Sequence, residues 1–200
     1  YREVQQSAEL AGNVTLITLL PELKLGIIVL TNQQSGAAFN AVTNSIKDGY
    51  LGIKGNDWVK IQLDASQQAQ KEAEQIKGEV DKLVASGQKT GSPLIPAQIM
   101  GTYTDKWFGD VVIWEKDSKL WLMSVRSPRL KGELLAYKGS SFIVKWNDRS
   151  FDADAFVRFA TDTDGNATGM KMEAISPLTD FSYDFQDLDF TRKAEVKAGR

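Results

Sequence analysis

The 200-residue chain has no cysteine and no histidine. Their absence excludes disulfides, thiolate nucleophiles, zinc sites of the usual kinds and every mechanism built on an imidazole base. A chain without cysteine suits an oxidising compartment such as a periplasm, and a reducing one equally well. Long apolar runs are lacking too: none exceeds the length of residues 27–30, far short of the roughly 20 residues a membrane helix needs. No membrane span is expected. No charged-then-apolar leader opens the sequence, so a signal peptide, if there is one, would precede Tyr1. Neither sign of charge is in excess. With 24 Lys and Arg against 26 Asp and Glu, the net charge is −2, which leaves no basic footprint for a polyanion and argues against nucleic acid as a partner.

What is present divides into three stretches, residues 1–54, 55–95 and 96–200. In the first, residues 14–20 are β-rich, "PELK" supplies a turn, and residues 25–31 resume as an almost continuous apolar run. That pattern predicts a hairpin whose second strand is buried on both faces. Ala38, Ala41, Val42 and Ile46 then recur at helical spacing before Gly49 and Gly52, which predicts a helix lying on the hairpin. The second stretch is rich in Gln, Glu, Lys and Ala. Ala69, Ala73, Ile76, Val80 and Leu83 fall on one stripe of a long helix. The stripe is either a seam for a homo-oligomeric coiled coil or the side on which a connecting helix lies against its own protein. "GQKTGSP", residues 87–93, reads as a linker.

From residue 96 onward the pattern is all β. Eight runs, at 99–104, 108–115, 119–125, 132–137, 141–146, 155–161, 167–175 and 181–192, are separated by turn signals such as "KDSK", "KGSS" and "TDTDGN". Eight short, regularly spaced strands predict a closed antiparallel barrel or a sandwich, with closure favoured because it leaves no edges. The fold class is therefore α+β. In the last run, Phe181, Tyr183 and Phe185 share one parity while Leu188 and Phe190 share the other, so a bulge or bend near Gln186 is expected.

Few constellations carry chemistry. "DTDGN", residues 162–166, hints at a calcium loop, but aligning Gly165 with the sixth loop position puts Ala160 first and Lys171 twelfth, where carboxylates belong. A hairpin turn accounts for it better. Asp180, Asp184, Asp187 and Asp189 crowd a short segment, either as a titrating or cation-holding group or as surface decoration. Trp107, Trp114, Trp121 and Trp146 could line a ligand cup within a barrel or simply fill its core. No nucleophile stands beside a base: Ser124, Ser127 and Ser176 have no lysine three residues on, and Ser7 has Leu10 there. No metal or cofactor is called for.

The stretch "LLPELKLGIIVLTNQQSGAAFNAVTNSIKDGYLG", residues 19–52, resembles the C-terminal end of the transpeptidase-like domain of serine β-lactamase-family proteins, the group with class C enzymes, penicillin-binding-protein relatives and serine D-aminopeptidases. The segments "GTYTDKWFGDVVIW", "LLAYKGSSFIVKW", "DAFVRFATDTDG" and "SPLTDFSYDFQDL" look like the domain of unknown function often appended to those hydrolases, relatives of which form lipocalin-like barrels. The resemblance implies an eight-stranded lipocalin-like barrel preceded by the hairpin, helix and linker-helix remnant of the larger domain. It implies a periplasmic or secreted location and, as partner, a transpeptidase-like domain upstream of Tyr1. The family's Ser-x-x-Lys helix start and Tyr-x-Asn-type loop would lie there. Its third motif, a Lys or His, Ser or Thr, Gly triplet, aligns with Gln6, Ser7 and Ala8, so the charge and the glycine are both replaced. The chain alone is thus expected to be inactive, the barrel covering the cleft of a parent hydrolase or mediating assembly. A barrel that binds a small apolar or peptidoglycan-derived ligand is the alternative.

Overall fold

The computed structural model describes residues 1–10, 12–33, 35–90, 94–180 and 182–193. The chain forms two compact units, Tyr1–Lys71 and Glu72–Arg200.

The first unit is a three-stranded antiparallel sheet, β1 (Val4–Leu10), β2 (Asn13–Leu20) and β3 (Leu25–Thr31), followed by α1 (Gly36–Leu51). The predicted hairpin is β2 and β3, joined through a short 3-10 turn over Pro21–Leu23 that closes on Lys24 in the left-handed region. β1 was not expected as a strand from composition. It is polar along most of its length yet pairs with β2 in continuous register, from Val4 opposite Leu19 to Leu10 opposite Asn13. One face of the sheet is closed: Val14, Leu16, Thr18, Leu20 and Ile27 are buried, and α1 packs against β2 and β3. Ser35 caps α1 by accepting the Ala37 N–H, and Gly52 ends it with φ at 69°, as capping chemistry favours.

The other face is open, which corrects two expectations. β3 is not buried on both faces, because Ile28 is 66% and Leu30 74% exposed. Strand pairing puts Ile28 beside Ile17 and Leu30 beside Thr15, and both pairs lie on the side away from α1. Among the described residues of 1–71 no second layer covers them. α1 also sits differently from its predicted face: Ala41 and Thr43 are buried, whereas Val42 and Ile46 are exposed.

α2 (Trp58–Thr90) is one continuous helix, begun by Asp57, whose Oδ1 accepts the Lys60 N–H. Its predicted single stripe is split. Ala73, Val80 and Val84 are buried while Ile76 and Leu83 remain exposed. Val80 and Val84 pack on Ile143 and Ile175 of the second unit, beside Leu135, Tyr137 and Phe156. Lys77 pairs with Asp152, and Asp81 with Lys145, at 2.5 and 2.6 Å. The helix therefore lies on its own protein there. The predicted linker, residues 87–93, is helical as far as Thr90, and residues 91–93 lie outside the described residues.

After a four-residue helix α3 (Pro96–Ile99), eight strands close into an antiparallel barrel: β4 (Gly101–Asp105), β5 (Gly109–Lys116), β6 (Lys119–Ser124), β7 (Lys131–Lys138), β8 (Ser141–Trp146), β9 (Ala155–Thr161), β10 (Ala167–Ala174) and β11 (Phe190–Arg192). The order is that of an up-and-down meander, closed by β11 between β10 and β4. Alternation sends Tyr103, Val111, Ile113, Leu122, Leu134, Phe142, Val144, Val157, Phe159 and Met170 inward, where all are buried in one cluster, so the interior is packed with side chains. Tyr103 donates its hydroxyl to the Ile99 carbonyl at 2.7 Å, and burial pushes its pKa up to about 12.

The final run is not one strand. Asp184 begins a 3-10 turn over Phe185–Asp187, and only Phe190–Arg192 pair in the barrel. The turn achieves what a bulge near Gln186 was expected to do, since Phe185, Leu188 and Phe190 all reach the core. Phe181 lies outside the described residues. Arg192 closes the barrel at the α3 end by donating to the carbonyls of Gln98, Met100 and Ala167.

Candidate functional site

The degenerate triplet lies on β1, with Gln6 opposite Ile17, Ser7 opposite Leu16 and Ala8 opposite Thr15. All three are exposed. The Gln6 amide donates to the Ser7 carbonyl at 2.9 Å, so it engages backbone and not the Ser7 hydroxyl. No arginine, lysine or carboxylate forms a hydrogen bond with Ser7 among the described residues. The sequence holds one Ser-x-x-Lys spacing, Ser86 to Lys89. It falls in the last turn of α2, at the wrong end of a helix for a nucleophile motif, which needs the N-terminal dipole.

The four tryptophans do not gather into one cup. Trp146 alone faces inward, 3% exposed, donating its indole N–H to the Ala153 carbonyl at 2.6 Å and stacking on Phe185 with centroids 6.2 Å apart. Trp114 and Trp121 are cross-strand partners on the outer wall, where the Lys131 ammonium sits 5.4 and 5.3 Å from their ring centres. Trp107 stands in the β4–β5 loop, 69% exposed. The parity that puts Val111 and Ile113 inside places Trp114 outside, a signal available in the sequence.

The aspartates near the C-terminus are likewise kept apart. Asp180 accepts the Ser182 N–H, Asp184 accepts from the Gln186 amide, and Asp189 pairs with Lys171 at 3.0 Å. In "DTDGN", Asp162 accepts the N–H groups of Asp164 and Asn166 and Gly165 has φ at 82°, which makes a hairpin turn. Among the described residues no group of three metal-capable side chains occurs.

The features left for recognition cluster at one end of the barrel. Antiparallel topology puts the β4–β5, β6–β7, β8–β9 and β10–β11 connections at that end, and the last three of these are the longest in the barrel. Long loops on a rigid barrel are where binding residues usually reside. Asp105 organises this end: it is 9% exposed, its Oδ1 accepts the N–H groups of Trp107 and Phe108 at 2.8 Å, and its Oδ2 accepts that of Asp189 at 2.9 Å. Burial pushes its pKa up, but the hydrogen bonds from Phe108, Asp189 and Trp107, with the charge of Lys171, outweigh burial and hold it below the usual carboxylate value. A depressed folded pKa contributes stability that is present at neutral pH and lost as pH falls through it. The loop end should therefore loosen below about pH 4, the ordinary range of an aspartate. Asp105→Ala, which strands three N–H groups, should cost about 2 kcal/mol at pH 7 and flatten the acid limb of a melting-temperature profile. A variant as acid-sensitive as the parent would remove Asp105 from that role.

Two hollows open on the second unit. One, of about 90 Å³, lies between α2 and the barrel wall, and its charged lining is spent on the pairs Asp81–Lys145 and Arg149–Asp154. The other, of about 330 Å³, lies at the loop end between the β4–β5 and β6–β7 connections.

Comparison with known proteins finds that the model of a family described as "Domain of unknown function (DUF3471)" matches residues 86–192. No curated protein matches the chain.

Proposed function

The chain belongs to the family described as Domain of unknown function (DUF3471), whose match takes in the whole barrel, and from that premise we propose that it is the non-catalytic C-terminal region of a serine β-lactamase-like hydrolase. The barrel serves as an accessory domain that covers the active cleft or mediates assembly, in a periplasmic or secreted protein. Residues 19–52 supply the link to the hydrolase, through their resemblance to the end of a transpeptidase-like domain.

One observation supports this above the others. The sheet face away from α1 is apolar and open, with Val4 50%, Ile17 38%, Leu19 45%, Ile28 66% and Leu30 74% exposed. Strand pairing sets these five side by side, Val4 with Leu19 and Ile17 with Ile28. Contiguous apolar surface on a sheet marks a face made to be covered. The layer of a larger domain would supply that cover.

The chain as it stands should show no turnover of nitrocefin or a D-amino-acid ester above buffer. Among the described residues no basic or acidic side chain is hydrogen-bonded to Ser7, and the residues that would acylate are expected upstream. Measurable turnover abolished by Ser7→Ala would overturn the non-catalytic reading. For the barrel's role, a hydrolase carrying this region should change its kcat/KM for bulky substrates or its oligomeric state when residues 96–192 are removed. Identical kinetics and an identical oligomeric state with and without the barrel would reject both arms.

The alternative, a ligand-binding barrel, draws no support from the interior, which is filled by the core. Its support lies at the loop end.

A further inference from the structure

The hollow at the loop end holds two cations, one of them a prearranged guanidinium. Its walls include Thr104, Asp105, Lys106, Asp110, Val125 and Arg126. Both carboxylates are already engaged, Asp105 by three backbone N–H groups and Asp110 by Lys193 at 2.7 Å. Lys106 and Arg126 form no ion pair among the described residues. The lining is balanced in formal charge, two cations against two carboxylates, but only the carboxylates are already engaged.

Arg126 is held in place by the chain itself. Its Nη1 donates to the Trp107 carbonyl at 2.9 Å, and its side chain lies flat across Gly109, where an added Cβ would come within 2.7 Å of Nε. Gly109 has φ at 88°, so glycine serves both the loop's conformation and the close passage of the arginine. An arginine fixed this way loses little entropy when it binds an anion, and its remaining N–H groups suit a planar carboxylate. The volume of about 330 Å³ lies at the small end of the range for organic-ligand sites. Val125, 49% exposed, is the apolar side chain in the lining, and Trp107, 69% exposed, stands in the adjoining β4–β5 loop.

We infer that this hollow is a binding site for a small organic monocarboxylate, the carboxylate lying on Arg126 and Lys106 and an apolar body resting against the β4–β5 loop at Trp107. Two carboxylates in the same lining disfavour a multiply charged phosphate and leave a monoanion the better fit. The site is independent of the parent hydrolase and of any chemistry there.

The test is a titration of the ¹⁵N-labelled full chain with sodium hippurate, with acetate and inorganic phosphate as comparison ions, followed through the Arg126 Nε–H, the Gly109 amide and the Trp107 indole N–H. Hippurate should shift all three saturably, and more tightly than acetate or phosphate. Arg126→Ala and Lys106→Ala should each weaken it by about tenfold, the scale of one lost charge-assisted contact. Both side chains are exposed, and unchanged resonances elsewhere confirm that the variants fold. Trp107→Ala should weaken hippurate and leave acetate unaffected. Linear, unsaturable shifts, a titration indifferent to Arg126→Ala, or phosphate binding as tightly as hippurate would each overturn the assignment.

Discussion

Gly132→Ala should destabilise the barrel more than any other single methyl added to a strand. Gly132 sits in β7 opposite Trp146 of β8, and a Cβ there would run into the Lys145 carbonyl, reaching 2.7 Å from its carbon and 2.9 Å from Val144 Cγ2. The obstacle is backbone on a paired strand, so the ladder itself must move. Overpacking of this kind costs about 3 kcal/mol, and a domain of this size loses about 4–8 °C of Tm per kcal/mol. Gly78→Ala is the control: it adds the same methyl to α2, where nothing lies within 4 Å, and should stabilise by about 0.5–1 kcal/mol through helix propensity. Thermal unfolding of the two variants should therefore move in opposite directions. A neutral Gly132→Ala would mean that β7 and β8 are not paired in this register.

Trp146→Ala should be the costliest truncation among the four tryptophans. Its indole is 3% exposed, hydrogen-bonded to Ala153 and stacked on Phe185, so removal leaves a cavity and an unpaired carbonyl, together about 3–5 kcal/mol. Trp107→Ala, at 69% exposure, should cost less than about 0.5 kcal/mol. Urea unfolding of the pair separates a structural tryptophan from one free to serve a ligand. Equal losses would show that Trp107 belongs to the packed body of the loop end.

These contrasts show what the sequence makes legible. Strands β4–β10 are readable because one face is buried and the other wet, which writes a period of two into runs such as Val111–Trp114. Their order needs only the preference for neighbouring strands to pair. The last strand is less readable because Phe185, Leu188 and Phe190 reach the core through a 3-10 turn, whose period is neither two nor 3.6. β1 is hidden because an exposed edge strand carries Gln, Ser and Glu, and pairs through its backbone alone. The apolar run of β3 misleads for the opposite reason: composition records what a strand is built to bury, while the structure of residues 1–71 leaves Ile28 and Leu30 uncovered.

For the site the balance differs. That Gln6 and Ala8 depart from a catalytic triplet is visible from residue types. That Arg126 lies across Gly109 is not, because Gly109 opens β5 while Arg126 follows β6, and the two meet only when β5 and β6 pair, Val111 with Ser124. The glycine at 109 does not reveal the contact by itself, since a left-handed φ explains it as well as a close approach does.

The open face of the first unit is the most direct handle on the account as a whole. Mixed with a separately produced serine transpeptidase-like domain that lacks its own C-terminal hairpin and helix, the chain should form a one-to-one complex by size-exclusion chromatography with light scattering. Ile28→Lys with Leu30→Lys should abolish that complex while leaving the barrel's melting temperature unchanged. Failure to associate, or a complex indifferent to the two lysines, would contradict the reading of residues 1–54 as the closing piece of a hydrolase.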